Sequence, residues 1–204
     1  MKIISNTGPI IGLAKIDKLS LLNDLAEEVL IPPLVYRELL GKYGWELSRI
    51  DLAFNTFIKV TELSEISNEI KQVISSLDDG EKQVISLGSV TSGKFILLLD
   101  DKAGRNAAKK LDLATTGLVG VLILAKEKGL INEVSSLLEE LRIQGYWLGD
   151  SLIKIAKNLI TIYNFSKMKS IREIQAHPKD ILNILLVNFD NIIISSGEST
   201  EILL

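Results

Sequence analysis

Acidic side chains, and one asparagine in place of an acid, stand where short apolar runs end or where helices begin. These residues are Asn6, Glu38, Glu81 and the adjacent pair Asp100 and Asp101. Clustered carboxylate and amide oxygens are the ligands that hard divalent cations such as Mg2+ and Mn2+ select. Two such ions about 4 Å apart can activate water and stabilise the leaving oxygen of a phosphodiester. The residue types therefore predict metal-assisted phosphodiester chemistry, provided that the fold brings these oxygens together.

The acidic pair follows an uninterrupted apolar run, residues 95–99. Such a run, bounded by turn residues, indicates a strand that is buried on both faces of a parallel sheet. Ligands of open α/β sheets bind outside the carboxyl ends of the strands, so we expect Asp100 and Asp101 at the ligand-binding edge. If other carboxylates pack against this pair, their mutual repulsion raises the pKa of at least one acid when no metal is bound.

Short strands alternate with helices over residues 1–163, which predicts right-handed crossovers and a mostly parallel sheet of about five strands. The expected architecture is α/β. The predicted strands are residues 2–5, 29–31, 57–60, 95–99 and 114–116. Helical patterns cover residues 10–25, 46–54, 66–74, 104–111, 117–128 and 149–163, and further helices begin near Pro33 and near Asp78 or Asp79.

The sequence pattern changes after residue 163. A polar linker, residues 164–170, leads to a helical pattern over residues 171–189 and then to a strand, a turn and a strand over residues 192–204. We therefore predict two parts, an α/β domain over residues 1–163 and a small C-terminal appendage, a helix and a β-hairpin, over residues 164–204.

Composition excludes several classes of protein. The chain has 204 residues, of which 47% are apolar, and it has no cysteine, so disulfide frameworks and thiolate metal sites are excluded. Its one histidine, His177, lies far from the acidic residues in sequence, which argues against a histidine-based catalytic triad. A net charge of −3 provides no overall attraction to nucleic acid. With neither a signal peptide nor an apolar run of about 18 residues, we expect a cytoplasmic protein without a membrane partner.

Five segments together resemble PIN-domain proteins, and most closely a VapC-like branch long labelled as of unknown function. The resemblance covers roughly residues 1–163, and its specificity comes from the order of the five motifs rather than from any one of them. The segments are residues 3–11 (IISNTGPII), 31–39 (IPPLVYREL), 77–81 (LDDGE), 97–105 (LLLDDKAGR) and 116–122 (TGLVGVL).

This resemblance implies a three-layer α/β/α fold and Mg2+- or Mn2+-dependent cleavage of RNA, usually by toxins that are paired with an antitoxin. Carried over, Asn6 stands at the first acidic position, Glu38 at the second and Glu81 at the third, with Asp100 or Asp101 at the fourth. The family usually has Asp where this chain has Asn6, and an amide oxygen brings no charge to a cation. The prediction is therefore a VapC-type endoribonuclease, and the alternative is a catalytically weakened PIN-fold module that binds RNA or a partner.

Each acidic position also has a purely structural interpretation. Asn6 can cap the helix that follows the first strand. Glu38 can be a solvated helix residue, and Glu81 can complement a helix N-terminus, which is worth about 0.3–1 kcal/mol. Asp100 and Asp101 can form a turn.

Basic and hydroxyl side chains flank the acidic edge. Lys102, Arg105 and Lys109, with Lys110, follow the acidic pair on a predicted helix and either position RNA phosphates or form a solvated face. Ser5, Thr7 and Thr116 lie at predicted strand ends and either support a metal site or act as turn and cap residues.

Partners follow from the resemblance as well. RNA is the expected substrate, an antitoxin protein is an expected partner, and homodimerisation is common among PIN relatives. The tail more weakly resembles the start of a Phd-type antitoxin, in residues 168–171 (MKSI) and in the strand, turn and strand over residues 192–204. The alternative is that the tail is an added helix and hairpin that cover the domain or form a dimer contact.

Overall fold

The computed structural model describes residues 1–41, 44–149, 153–154 and 156. The chain divides into two compact units, Met1–Trp147 and Leu148–Leu204. Every strand and helix given below lies in the first unit. The predicted appendage over residues 164–204, with its linker, helix and hairpin, lies outside the described residues, so the domain boundary stays a prediction.

The first unit is a three-layer α/β/α fold, as predicted. Among the described residues its sheet has five strands, all parallel, in the order β3-β2-β1-β4-β5. The strands are β1 (Lys2–Ser5), β2 (Glu28–Ile31), β3 (Ile58–Val60), β4 (Phe95–Leu98) and β5 (Thr115–Thr116). The helices of the described part are α1 (Thr7–Lys15), α2 (Leu21–Leu25), α3 (Pro33–Leu40), α4 (Leu47–Thr56), α5 (Asn68–Val73), α6 (Asp79–Val90), α7 (Lys102–Lys110), α8 (Leu118–Glu127) and α9 (Ser135–Ile143).

The two central strands are buried on both faces, which explains their uninterrupted apolar sequences. Ile4 of β1 lies opposite Leu97 of β4 in the parallel register, and neither side chain is exposed to solvent. Helix α8 is also apolar on most of its surface, and Leu118 and Leu122 are fully buried. The core therefore lies between the sheet and its flanking helices.

The carboxyl ends of the strands meet at one edge of the sheet, and this is the edge where the acidic residues were expected. The Asn6 N–H donates to the Leu98 carbonyl at 3.1 Å, and the Leu99 N–H donates to the Thr116 carbonyl at 2.9 Å. The carboxyl ends of β1, β4 and β5 are thereby held side by side. Helix α3 begins at the same edge, two residues after β2 ends.

The structure differs from the sequence-based expectation in two places. The helical pattern over residues 10–25 is divided into α1 and α2 by a turn in which Asp17 adopts a positive φ of 55°. Helix α9 was not predicted, although Leu137, Leu138 and Leu141 bury one of its faces. In the described part of the chain, no helix combines the length and the apolarity that crossing a bilayer requires.

Replacement of Leu97 by alanine tests the central position of β4. Leu97 is completely buried, so Leu97→Ala should lower the free energy of unfolding by about 2–5 kcal/mol. Leu52 of α4 is 64% exposed, and Leu52→Ala should change that free energy by no more than about 0.5 kcal/mol. Urea unfolding followed by circular dichroism measures both variants, and equal losses would contradict this arrangement of the core.

Candidate functional site

Asn6 both caps a helix and faces the acidic edge. It is the N-cap of α1, with extended backbone angles, and its side-chain Oδ1 accepts a hydrogen bond from the Thr7 N–H at 2.9 Å. The same oxygen lies 3.1 Å from the point where a Cβ on Gly80 would stand. The structural interpretation of Asn6 as a cap is therefore confirmed, and it leaves the amide oxygen pointing toward α6.

Glu38 reaches the same place from α3, where its side chain is exposed rather than packed into the core. The Thr7 hydroxyl donates a hydrogen bond to Glu38 Oε2, which ties α1 to α3. The other carboxylate oxygen, Oε1, lies 3.4 Å from the position of a Gly80 Cβ. Thr7, predicted as a supporting residue, thus orients the carboxylate at the second acidic position.

A small oxygen-lined space lies over Gly80 as a result. Asn6 Oδ1, Glu38 Oε1 and Asp78 Oδ1 all lie within 3.4 Å of the missing Cβ, so a larger residue at position 80 would fill this space. Asp78 is the N-cap of α6, and its Oδ1 accepts from the Glu81 N–H at 2.7 Å. We define Asn6, Glu38, Asp78 and Gly80 as the Gly80 cradle. Asp78 was expected only as a possible cap, so its place in the cradle was missed.

Glu81 directly follows the cradle in sequence and is buried, with 3% of its surface exposed. Among the described residues it provides the one buried side-chain oxygen without a hydrogen-bond partner, Oε1. Burial, followed by the charges of Asp78 and Asp101, raises the pKa of Glu81 to about 7. The upward shift expected for packed acids is therefore found at this residue, and a buried acceptor without a donor calls for a proton or a cation.

Asp101, at the start of helix α7, lies close enough to Glu81 for its charge to act on that acid. It is the N-cap of α7, and its Oδ1 accepts from the Ala103 N–H at 2.6 Å and from the Gly104 N–H at 3.4 Å. The Glu81 carboxylate lies so close to Gly104 that a Cβ there would overlap Oε1. Both carboxylates therefore lie close to Gly104, and the missing side chain leaves room for Glu81 there.

Asp100 faces a different set of partners from Asp101. Its Oδ1 accepts from the Leu118 N–H at 2.8 Å, and its Oδ2 accepts from the Tyr146 hydroxyl. Burial raises the pKa of Asp100, although both hydrogen bonds oppose that shift. Burial and the neighbouring Asp100 charge also raise the pKa of Tyr146, so the phenol stays protonated and serves as the donor. Nothing in the sequence indicated a role for Tyr146.

The basic residues after the acidic pair occupy different environments. Arg105 Nη1 donates to the backbone carbonyls of Leu99 and Asp100, at 3.1 and 2.6 Å, so its guanidinium supports the end of β4. Lys102 and Lys109 are exposed on α7. Their predicted contacts with RNA stay a prediction, because no nucleic acid is present.

The remaining hydroxyl groups contact the backbone. Ser5 is fully buried, and its hydroxyl donates to the Asn6 carbonyl at 2.9 Å. The Thr116 hydroxyl lies 3.4 Å from the Gly117 carbonyl, to which it donates. These contacts agree with the interpretation of Ser5 and Thr116 as turn residues.

The donor set suits a hard cation, although the described residues do not form a complete coordination shell. Within residues 1–41 and 44–149, and at 153, 154 and 156, no three His, Cys, Asp or Glu side chains are grouped closely enough to hold a metal ion. The oxygens instead form two adjoining groups, the Gly80 cradle and the pair Glu81 and Asp101. Carboxylate and amide oxygens without nitrogen or sulfur favour Mg2+ or Mn2+ over Zn2+. The unpartnered oxygen of Glu81 is the position where an added cation would satisfy an unmet interaction.

Comparison with protein-family models identifies the family of this chain. The family model described as DUF3368: PIN domain matches residues 2–161, well over half of the chain. Neither the curated proteins nor the solved structures give a significant match.

The raised pKa of Glu81 predicts a pH-dependent stability in the absence of divalent cations. Between the ordinary value of 4.5 and about 7, the folded protein binds more protons than the unfolded chain, so stability falls as the pH rises. Glu81→Gln removes this loss. The free energy of unfolding of the variant relative to wild type should therefore rise by up to about 3 kcal/mol between pH 4.5 and pH 8.

Urea unfolding in EDTA at the two pH values measures this difference. Glu139→Gln, on the exposed side of α9, is the matched control and should follow wild type at both pH values. A Glu81→Gln variant that also follows wild type would show that Glu81 is not a buried acid with a raised pKa.

Proposed function

The chain belongs to the PIN-domain family, and from this premise we propose that it is a metal-dependent endoribonuclease of the VapC toxin type. PIN domains are generally nucleases, and their fold is the three-layer α/β/α arrangement described above. The single observation that carries the proposal is the buried Glu81 oxygen, unpartnered among the described residues, beside the oxygen-lined Gly80 cradle.

Asn6, Glu38, Glu81 and Asp101 are the residues that we propose to hold Mg2+ or Mn2+, in part through the water molecules that such ions retain. When bound, such an ion lowers the pKa of a water molecule and stabilises negative charge on phosphate oxygens. Asn6 contributes a neutral oxygen and the other three contribute carboxylates. Glu38 and Glu81 thus lie on α3 and α6, and Asn6 and Asp101 directly precede α1 and α7.

The side chains around the proposed site have separate tasks. The Thr7 hydroxyl holds Glu38 in one orientation, and the Ala103 and Gly104 N–H groups hold Asp101. The pKa of Glu81 is raised to about 7, so its protonated form is populated at neutral pH when no cation is bound. A bound cation would favour the deprotonated carboxylate. This arrangement limits the number of negative charges in a buried site when no cation compensates them.

The exposed lysines of α7 are the proposed contacts with the RNA backbone. Lys102 directly follows Asp101, and Lys109 lies two helical turns further on. Lysines placed beside a cleavage site attract phosphates without reading sequence, which offsets the repulsion between RNA and the acids. RNA with 3′-hydroxyl and 5′-phosphate ends is the expected product.

The toxin assignment brings further proposals about partners. We propose an antitoxin as the regulatory partner, a homodimer as the assembly and the cytoplasm as the location. The resemblance of the tail to a Phd-type antitoxin supports the first of these. A small antitoxin reading frame directly upstream of this one would support it further.

A second candidate function is a PIN-fold module that binds RNA or a partner without cleaving. The specific observation that favours it is Asn6, because the amide replaces the charge that the family usually has at the first acidic position. Its oxygen also already accepts the Thr7 N–H as a helix cap.

Cleavage assays distinguish these functions. Wild type should cleave single-stranded RNA with Mg2+ or Mn2+ but not in EDTA, and Glu81→Gln and Asp101→Asn should each lower kcat/KM by at least about 100-fold. Asp79→Asn is the matched control, since Asp79 is exposed and pairs with Lys82 on the outer side of α6. Equal rates for wild type and both site variants would reject the assigned residues.

Asn6→Asp tests the missing charge directly. An aspartate keeps the helix cap, because its carboxylate accepts the Thr7 N–H as the amide does. The added charge should strengthen Mn2+ binding by roughly tenfold and raise the cleavage rate. Calorimetry measures the binding, and a variant that gains activity over an inactive wild type would favour the weakened module instead.

A further inference from the structure

We propose that Tyr146 is a positioning residue that holds the Asp100–Asp101 turn through Asp100, so that Asp101 alone of the pair faces the cation. This inference rests on the proposed function and assigns different roles to two neighbouring acids. It also assigns a role to a residue that the family match alone does not single out.

Hydrogen bonds to both carboxylate oxygens direct Asp100 toward Leu118 and Tyr146. The Tyr146 hydroxyl donates to Oδ2, and the Leu118 N–H donates to Oδ1 at 2.8 Å. Both carboxylate oxygens of Asp100 therefore already act as acceptors where the side chain stands. Direct coordination of a cation by Asp100 would have to break at least one of these hydrogen bonds.

Asp100 also completes helix α8. The N-cap residue of α8 is Gly117, which has no side chain to accept the first N–H groups. Asp100 Oδ1 takes this role from the turn after β4, and it lies 2.8 Å from the point where a Gly117 Cβ would stand. The first N–H of a helix needs an acceptor, and Asp100 Oδ1 supplies one to Leu118.

The main chain of the turn is held at the same time. Arg105 Nη1 donates to the carbonyls of Leu99 and Asp100, so the peptide groups on both sides of Asp100 are restrained. The next residue, Asp101, is the N-cap of α7, and its carboxylate and that of Glu81 both lie close to Gly104. The direction of Asp101 therefore depends on the restraint of Asp100.

Tyr146 is packed in a way that fixes its hydroxyl. Its ring is close enough to α1 that a Cβ at Gly12 would stand 2.7 Å from its Cε2 atom. The hydroxyl itself lies 3.6 Å from the position of a Gly8 Cβ, near the start of the same helix. Removal of the hydroxyl in Tyr146→Phe keeps this packing and deletes only the donor to Asp100.

The test is calorimetric titration of the full-length chain with Mn2+, combined with RNA cleavage. Tyr146→Phe should weaken Mn2+ binding about tenfold, the usual size of an outer-sphere effect. It should also lower kcat with little change in KM. Asp100→Asn should stay within about threefold of wild type, because an amide still accepts the Leu118 N–H and contacts the phenol. Asp101→Asn should bind at least about tenfold more weakly than Asp100→Asn.

Asp100→Ala should bind Mn2+ more weakly, as Tyr146→Phe does. Asp100→Asn, at the same position, should keep the affinity for Mn2+ close to that of wild type. If Asp100→Ala does not fold, as judged by urea unfolding, the comparison of Tyr146→Phe with wild type decides alone. A folded Tyr146→Phe with wild-type affinity and kcat would overturn the positioning role, since a purely structural tyrosine changes stability only. Equal losses in Asp100→Asn and Asp101→Asn would overturn it as well.

Wild type is the control for the proposed metal-dependent nuclease function. If wild type binds no Mn2+ and cleaves no RNA, the proposed function fails and the role of Tyr146 fails with it. If wild type binds and cleaves but the variants do not differ as stated, only the role of Tyr146 fails.

Discussion

The parallel register between β1 and β4 is the constraint on which the candidate site depends. Ser5 lies opposite Leu98, and the Asn6 N–H continues the pairing to the Leu98 carbonyl. The residues that follow these two strands therefore leave the sheet at the same level. A slip of one residue would displace Asn6 from the Asp100–Asp101 turn by about 3.3 Å, more than a metal site tolerates.

Capping and chemistry use the same oxygens in this protein. Asn6, Asp78 and Asp101 cap α1, α6 and α7, and Asp100, in the turn after β4, accepts the first N–H of α8. The N–H groups that need acceptors also fix the direction of each side chain. The structural and functional interpretations of Asn6, Asp78 and Asp101 are therefore compatible, because an oxygen that accepts one N–H has a second lone pair, and each aspartate also has a second oxygen.

Glycines at positions 80 and 104 leave the space in which the acidic side chains approach one another. A side chain at Gly80 would fill the cradle, and one at Gly104 would overlap Glu81. The close approach in a buried place raises the pKa of Glu81 to about 7, which is a cost to stability without a cation. Sites that bind or catalyse commonly accept such a cost, since the same unmet interaction provides the affinity for a ligand.

The sequence by itself determined the α/β class, the strands and the sheet edge at which the acids stand. These follow from apolar runs and from the residues at their ends, such as Asp100 after residues 95–99. Only the tertiary structure separated Asp100 from Asp101, since that separation depends on Leu118 and on Tyr146, which is 46 residues away. A local pattern carries no information about a donor that arrives from a distant part of the chain.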